Sequence, residues 1–433
     1  MRRQLGLLQL PRGYRENRNR GLCKIMNRIC ASSRLWLLFG LALSAQLAGI
    51  GCGSSSRPTS APPPGLATPA PAGPNNSYFG PQSPADMWQT SIDHSTNLSS
   101  AQDLTSPSAG LISGAFSIQD PTEFLSLAQT NVSPPFQQFG YSLEILGRAL
   151  LLRPGPNTAP LAAMAPGTCL SINGSVTFQF VTLVDQSWVS KTATAHGNVH
   201  VATNGNTWNF SNFSQYLLNS SSQPGSTLAA GTCATPSGNT SVTVPPTAPA
   251  TTSASVVVGP SGFFVANQLI TDSSSGTQFG AVGVIQPSSS LDTSTVRNAN
   301  YYGFMYQPTV SPGCIGTICL APTQMVTFTN TACPNGVKPS PSAICGGVFQ
   351  QDVLSAPQVY LLMDLGSEDQ TQFGLYKSAS IQIPDPNKIC SLSGTCTLPA
   401  VAAVGNPEGK FAIFLIAQDT VNNSPLLICL FQQ

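Results

Sequence analysis

The chain has 433 residues, 8% of them charged, a formal net charge of +1, and 38 glycines with 37 prolines. So little charge excludes a coiled coil or a helical array, which draws about half its residues from Ala, Glu, Lys, Leu and Arg. Only 3 histidines serve the whole chain, which argues against a His-rich metalloenzyme.

The net charge averages two unlike pieces. Up to Cys52 there are nine Lys/Arg (Arg2, Arg3, Arg12, Arg15, Arg18, Arg20, Lys24, Arg28, Arg34) against Glu16 alone. The remainder holds nine basic and sixteen acidic residues. A body with that balance and no basic run does not neutralise phosphates, so nucleic acid is excluded as a partner.

Leu35 to Ile50 (LWLLFGLALSAQLAGI) is an uncharged apolar run of 16 residues, preceded by Arg28 and Arg34 and followed by Gly51, Cys52 and Gly53. That is the layout of a secretory signal. A membrane-spanning helix needs about 20 apolar residues, so the run is short for a permanent span. With Cys52 directly behind it, the segment resembles a bacterial lipoprotein signal peptide, whose cysteine is lipidated on sulfur and becomes the mature N-terminus. Ile50 and Gly51 fit that pattern, while Gly49 stands where such signals usually carry Leu. Gly53 after the cysteine, in place of Asp, implies the outer membrane through the same resemblance. Residues 1–25 are long for a signal, and a start at Met26 gives one of ordinary length.

Residues 53–75 (GSSSRPTSAPPPGLATPAPAGPN) are Ser/Pro/Ala-rich and almost uncharged, and read as an extended tether. Signal, tether and a Gly/Ser/Thr-rich body together resemble bacterial cell-surface and outer-membrane lipoproteins, a class that shares location and no activity.

From Asn76 onward, short apolar or alternating runs are separated by Gly, Pro, Asn and Ser clusters. This predicts an all-β body of successive antiparallel β-meander modules, barrel- or sandwich-like, with little helix and disulfide-clipped loops. Strands are predicted at Ser175–Leu183, Asn198–Ala202, Ser253–Val258, Gln358–Met363 and Phe411–Ala417. Asn204-Gly205 signals a hairpin, because the pair tolerates the positive φ of a type I′ turn. Helix is only a minority alternative to strand, at Ser99–Leu104 and Pro121–Gln129. One repeat is visible. Gly259-Pro260-Ser261-Gly262-Phe263-Phe264 and Asn406-Pro407-Glu408-Gly409-Lys410-Phe411 each open an apolar run that returns after a polar loop. Both read as a turn followed by a closing hairpin. The body divides on this basis into modules at 76–165, 166–298 and 299–433.

Nine cysteines follow Cys52. An exported protein meets an oxidising compartment, so disulfides are the default. Spacing suggests Cys314–Cys319, Cys333–Cys345, Cys390–Cys396 and Cys169–Cys233, leaving Cys429 as a buried free thiol, although sequence alone does not fix connectivity. Paired CxxC spacing is absent and no histidine lies in 299–433, which argues against zinc.

The candidate chemistry is thin. His196 and His200 are four apart, but their segment reads as strand, where that spacing is about 13 Å. Ser91, Asp93 and His94 sit close in sequence, which reads as a polar turn after a strand, and no G-x-S-x-G elbow occurs. Asp364, Glu368 and Asp369 lack the ladder of a calcium loop and read as a solvated hairpin connection. Tyr302, Phe304 and Tyr306 share one face of a strand, as a core row or as a platform for stacking a ligand. The sequence therefore predicts no catalytic residue, no metal and no cofactor. It predicts an exported, membrane-anchored lipoprotein of the cell envelope and outer membrane, lipidated at Cys52. Its expected role is binding, adhesive or envelope-structural, toward a cell-surface protein, a glycan or a small apolar ligand. The alternatives are a small-molecule-binding β-barrel and, more remotely, a secreted hydrolase.

Overall fold

The structure is a computed structural model. It describes residues 75–82, 86–109, 112–119, 124–129, 140–145, 148–153, 159–165, 175–183, 195–204, 206–218, 230–234, 241–245, 252–259, 261–271, 278–308, 314–315, 318–319, 323–329, 343–349, 359–384, 394–419 and 424–432. The signal-like segment, Cys52 and the tether up to Pro74 lie outside the described residues, and Asn75 opens the first strand.

The described residues form three closed antiparallel barrels of eight strands each. The first contains β1 (Asn75–Gly80), β2 (Trp88–Asp93), β3 (Leu98–Asp103), β4 (Ile112–Gln119), β5 (Phe124–Gln129), β6 (Gly140–Ile145), β7 (Ala149–Arg153) and β8 (Leu161–Met164). The second contains β9 (Ser175–Leu183), β10 (Ala195–Asn204), β11 (Thr207–Leu217), β12 (Gly231–Ala234), β13 (Ser241–Val244), β14 (Ala254–Val258), β15 (Phe263–Thr271) and β16 (Gln278–Ile285). The third opens with β17 (Tyr301–Tyr306), passes through a small ribbon of β18 (Cys314–Ile315) and β19 (Ile318–Cys319), and resumes at β20 (Thr323–Thr329). It continues through β21 (Ala343–Phe349), β22 (Val359–Asp364), β23 (Leu375–Pro384), β24 (Thr395–Gly405), β25 (Ala412–Asp419) and β26 (Ser424–Gln432). Each barrel runs up and down in chain order and closes by pairing its first strand with its last: β1 with β8, β9 with β16, β17 with β26. Closure removes the sheet edges that an open meander leaves unpaired.

The two segments where helix is a minority alternative are strand in their described parts. β3 covers the first, and β5 covers the described part of the second. Six-residue runs carry too little periodicity to separate helix from strand, and cross-strand pairing decides them. Asn204 pairs with Thr207, so a hairpin stands where Asn-Gly predicted one. The two repeated turns lead into β15–β16 and β25–β26, the last hairpin of their barrels. Gly262 (φ 90°) and Gly409 (φ 84°) supply the left-handed residue at the two turns, a conformation costly for any residue with a Cβ.

Register assigns the faces. In the second barrel Phe178, Phe180 and Phe264 point inward and stack, with centroids 5.3 Å (Phe178–Phe264) and 6.3 Å (Phe180–Phe264) apart. In the third, Tyr301, Phe328, Met363, Tyr376 and Ile413 fill the interior. Eight strands leave an interior just wide enough for side chains. Around Phe263 the outer faces are apolar as well. Phe263 leaves the second barrel to meet Phe414 and Phe431 of the third, at 6.5 and 5.6 Å. One continuous core therefore runs through all three barrels, joined on the first by Phe79, Leu151 and Met164.

Two local devices set the contacts between barrels. In β15 a register shift between Ala266 and Ile270 puts Gln268 at φ 50° and turns Asn267 outward. Asn267 accepts from Ser255 N (2.6 Å) and donates through Nδ2 to the Asp86 carbonyl of the first barrel (3.3 Å). Between the second and third barrels, Gly405 lies so close to β16 that a Cβ there would stand 2.7 Å from Val284 Cβ. Gly405→Ala is therefore expected to force β24 off β16 and to cost about 1–3 kcal/mol, as overpacking does. Thermal unfolding measures it.

Candidate functional site

The described carboxylates are the groups from which a site could be built, and the structure engages Glu144, Glu368, Asp364, Asp369, Asp93 and Asp419. On β6, Glu144 shares the inward face with Leu150, its register partner on β7. It is 2% exposed. Its Oε1 accepts from the Tyr78 hydroxyl and from Asn76 Nδ2 (3.4 Å), and its Oε2 lies 2.6 Å from His94 Nε2. Burying a carboxylate is costly unless donors replace its water, and here three do. His94 is not isolated on a surface turn, as its sequence neighbours imply; it reaches back over the barrel mouth to an acid fifty residues away. Asp93, its neighbour, caps the turn instead. Hydrogen bonds from the Ser95 hydroxyl, the Thr96 side chain and the Ser95 amide hold its pKa down to about 2. Thr90, the register partner of Tyr78, is buried on the same inward face, and its hydroxyl has no partner among the described residues.

The order Tyr–Glu–His differs from a nucleophile triad. There the imidazole stands between hydroxyl and carboxylate, so that it can pass a proton. Here the carboxylate is in the middle, and it holds a barrel strand and a hairpin tip together.

Glu368 does the same for the third barrel. It is buried, not solvated, which corrects the expectation for the Asp364/Glu368/Asp369 segment. It accepts from the Ser290 hydroxyl, from Leu291 N (3.1 Å) and from Gly374 N (2.6 Å). The segment it holds leads into the short helix α1 (Thr293–Asn298), whose Val296 enters the barrel core while its carbonyl accepts from the Tyr301 hydroxyl (2.7 Å). Arg297 Nη2 donates to the Gly366 carbonyl at 2.9 Å. Burial, with the charge of Glu368 adding to it, pushes the Tyr376 hydroxyl beside this helix up to about 12. Asp364 caps Gly366 N, and Asp369 caps Thr371 and pairs with Lys377 at 2.6 Å. Although burial works against it, these bonds hold Asp369 well below the usual carboxylate range. No group of three metal-binding side chains occurs among the described residues.

His196 and His200 point outward from β10, like Val181 and Thr177 of β9 opposite them. His200 Nδ1 lies 3.1 Å from Thr177 Oγ1. His196 is buried and stacks on Tyr216, with centroids 5.4 Å apart. Burial first, and the Lys377 charge second, push its pKa down to about 4.

Of the residues singled out for ligand stacking, Phe304 and Tyr306 are 1% and 0% exposed. Tyr302 packs against the same core, on the outer face of β17 where the barrels meet. Phe304 and Tyr306 have no ring face left for a ligand, which corrects the stacking-platform expectation in favour of a core row. Cys233, Cys345 and Cys396 are disulfide-bonded. Cys169, Cys333 and Cys390, expected to pair with them, lie outside the described residues. Cys314 and Cys319 are direct register partners across the β18–β19 ribbon. Cys429 is free and buried, and burial pushes its thiol far up, which makes it inert. Sequence reasoning missed Glu144 altogether, because nothing in GYSLEI marks an inward acid.

The fold defines an all-β protein of eight-stranded antiparallel barrels. No protein-family model matches the chain, and no curated protein does. Among solved structures, it is similar to a double mutant of the vaccine antigen transferrin binding protein B from Haemophilus parasuis Hp5. Identity there is 8%, coverage is 84% of this chain and 78% of that one, and the TM-score is 0.26. It is also similar to isotype 1 transferrin binding protein B from serogroup B Neisseria meningitidis, at 9% identity, with 81% of this chain and 66% of that one covered and a TM-score of 0.23. Scores this low carry no functional inference.

Removing the buried acid tests its role. Glu144→Ala strands the Tyr78 hydroxyl and the Asn76 amide, and is expected to cost about 3 kcal/mol in urea unfolding. Glu144→Gln keeps an acceptor and is expected to cost less.

Proposed function

We propose that the chain is an exported lipoprotein, anchored to the outer membrane through Cys52, whose barrels form a rigid, non-catalytic scaffold for binding a partner at the cell surface. The observation that carries this reading is the use made of the acids. Glu144, Glu368 and Asp369 are consumed in holding strands, loops and the linker together, and none is left in a cleft beside a nucleophile. The apolar run before Cys52 and the Ser/Pro tether after it supply the anchor and the reach. In this reading, loops clipped by Cys169–Cys233, Cys333–Cys345, Cys390–Cys396 and Cys314–Cys319 provide the contact surface, and the modules 76–165, 166–298 and 299–433 are its building units.

A second reading rests on one observation. The interior of the first barrel keeps a carboxylate beside a phenol and a buried threonine hydroxyl that has no partner among the described residues. That lining suits a small polar ligand.

One experiment separates these readings: the intact mass, under native conditions, of protein purified from its own envelope. A lipid mass on a chain beginning at Cys52 is expected, and Cys52→Ser is expected to move the protein out of the membrane fraction. An unlipidated chain in wild type defeats the anchor. A co-purifying small molecule that is lost in Glu144→Gln selects the second reading.

A further inference from the structure

The seam between the second barrel and the 366–377 segment of the third is polar, buried and incompletely satisfied. Gln179 reaches out from β9 and donates to the Phe373 carbonyl at 2.7 Å. Beside it on β10, His196 stacks on Tyr216 of β11, and Lys377 Nζ stands 6.0 Å from the centre of that same tyrosine ring. Three buried atoms along this seam have no partner among the described residues: Gln179 Oε1, His196 Nδ1 and Gln372 Oε1. Each unpaired buried polar atom costs free energy, so this seam is weaker than the apolar contact around Phe263. Elements that open first are drawn from such places.

We propose that His196 is an acid-sensitive latch, whose protonation releases the 366–377 segment from the outer face of the second barrel while the apolar contact between the barrels holds.

The groups facing His196 set the direction. From β11 comes Tyr216, a neutral ring. From β9 come Val181 and Gln179, neither of them charged. From the third barrel comes Lys377, tied to Asp369 at 2.6 Å. Glu368 is turned away toward Ser290, Leu291 and Gly374 N. An imidazolium in this seam would be desolvated and would face an ammonium, with one carboxylate already spent on that ammonium. The neutral ring has neither cost. In the open state His196 takes its proton near pH 6.5, whereas in the closed seam it does so only near pH 4. A group whose closed-state pKa is depressed in this way favours closure fully above pH 6.5 and loses that contribution as pH falls toward 4. The closed-to-open ratio is thus expected to fall on the order of a hundredfold across this interval. The Glu368 bonds keep the released segment on its own barrel.

Hydrogen exchange read by mass spectrometry tests this on the full chain. Rates at pH 7 and pH 4 are each normalised to the unstructured rate at that pH. Protection across 366–377 and around Tyr216 is expected to drop at pH 4, while Ala412–Asp419 keeps its protection. His196→Phe retains the stack without the titration and is expected to abolish the drop. Unchanged protection in wild type at pH 4, or an equal drop in His196→Phe, overturns the latch. Should that variant fail to fold, Lys377→Met removes the facing ammonium and is expected to shrink the drop; a drop as large as in wild type overturns the proposal equally.

Discussion

The structure depends on strands that are apolar on both faces. An antiparallel barrel in water ordinarily alternates, with one face inward and one face wet. β25 (AIFLIAQD) is buried along its whole length, and β26 along all but its last residue. The inward residues, such as Ile413 and Leu415, pack within the third barrel, while Phe414 and Ile416 pack across to the second. Fully burying a side chain of this size contributes about 1.5–3 kcal/mol. A barrel separated from its neighbours would return that surface to water. Where a strand leaves this contact, wet positions return: the second half of β23 alternates between buried and more exposed residues, and Lys377 at its start lies at an exposed position paired with Asp369.

Charge serves a different purpose. The buried acids sit near the ends of barrels and join residues far apart in the chain. Glu144 joins β6 to β1 and to the tip after β2, Glu368 joins the β22–β23 connection to the segment before α1, and Asp419 accepts from Gln307 Nε2 at 3.1 Å between the end of β25 and the end of β17. Apolar packing is nearly indifferent to a shift of register by two residues, because the same face returns. A carboxylate with specified donors is not. These acids add little net stability after desolvation, but they select one closure of each ring among several that would bury similar area.

This division explains what could be read from the sequence. Strand-and-turn punctuation is local, so the all-β character, the hairpin at Asn204 and the turns before Phe263 and Phe411 were legible. The continuous apolar runs marked strands too, but not whether a run served one barrel or the contact between two; Tyr302, Phe304 and Tyr306 could be a ligand row or a core row, and only the neighbouring barrel decides. The two segments that also admitted helix are settled in the same way: β3 and β5 take their conformation from the strands beside them. The polar sites were illegible because their partners are remote. His94 was visible, but the carboxylate beside it in sequence is a turn cap, and its real partner is Glu144. Glu368 looked like a solvated acid because Ser290 lies 78 positions away.

A body built in this way leaves little of its strand surface for recognition. Among the described residues the large apolar side chains with substantial exposure are Leu98, at 52%, and Tyr360, at 46%, and they belong to different barrels. Charge is sparse as well, with nine basic and sixteen acidic residues after Cys52. What remains for contact is the uncharged polar surface of turns rich in Ser, Thr, Asn and Gln, fixed in place by caps such as Asp93 and Asp369. Recognition through such groups depends on many directed hydrogen bonds, each worth about 1 kcal/mol, and so on a frame that does not move. Welding the barrels through their outer faces supplies that frame.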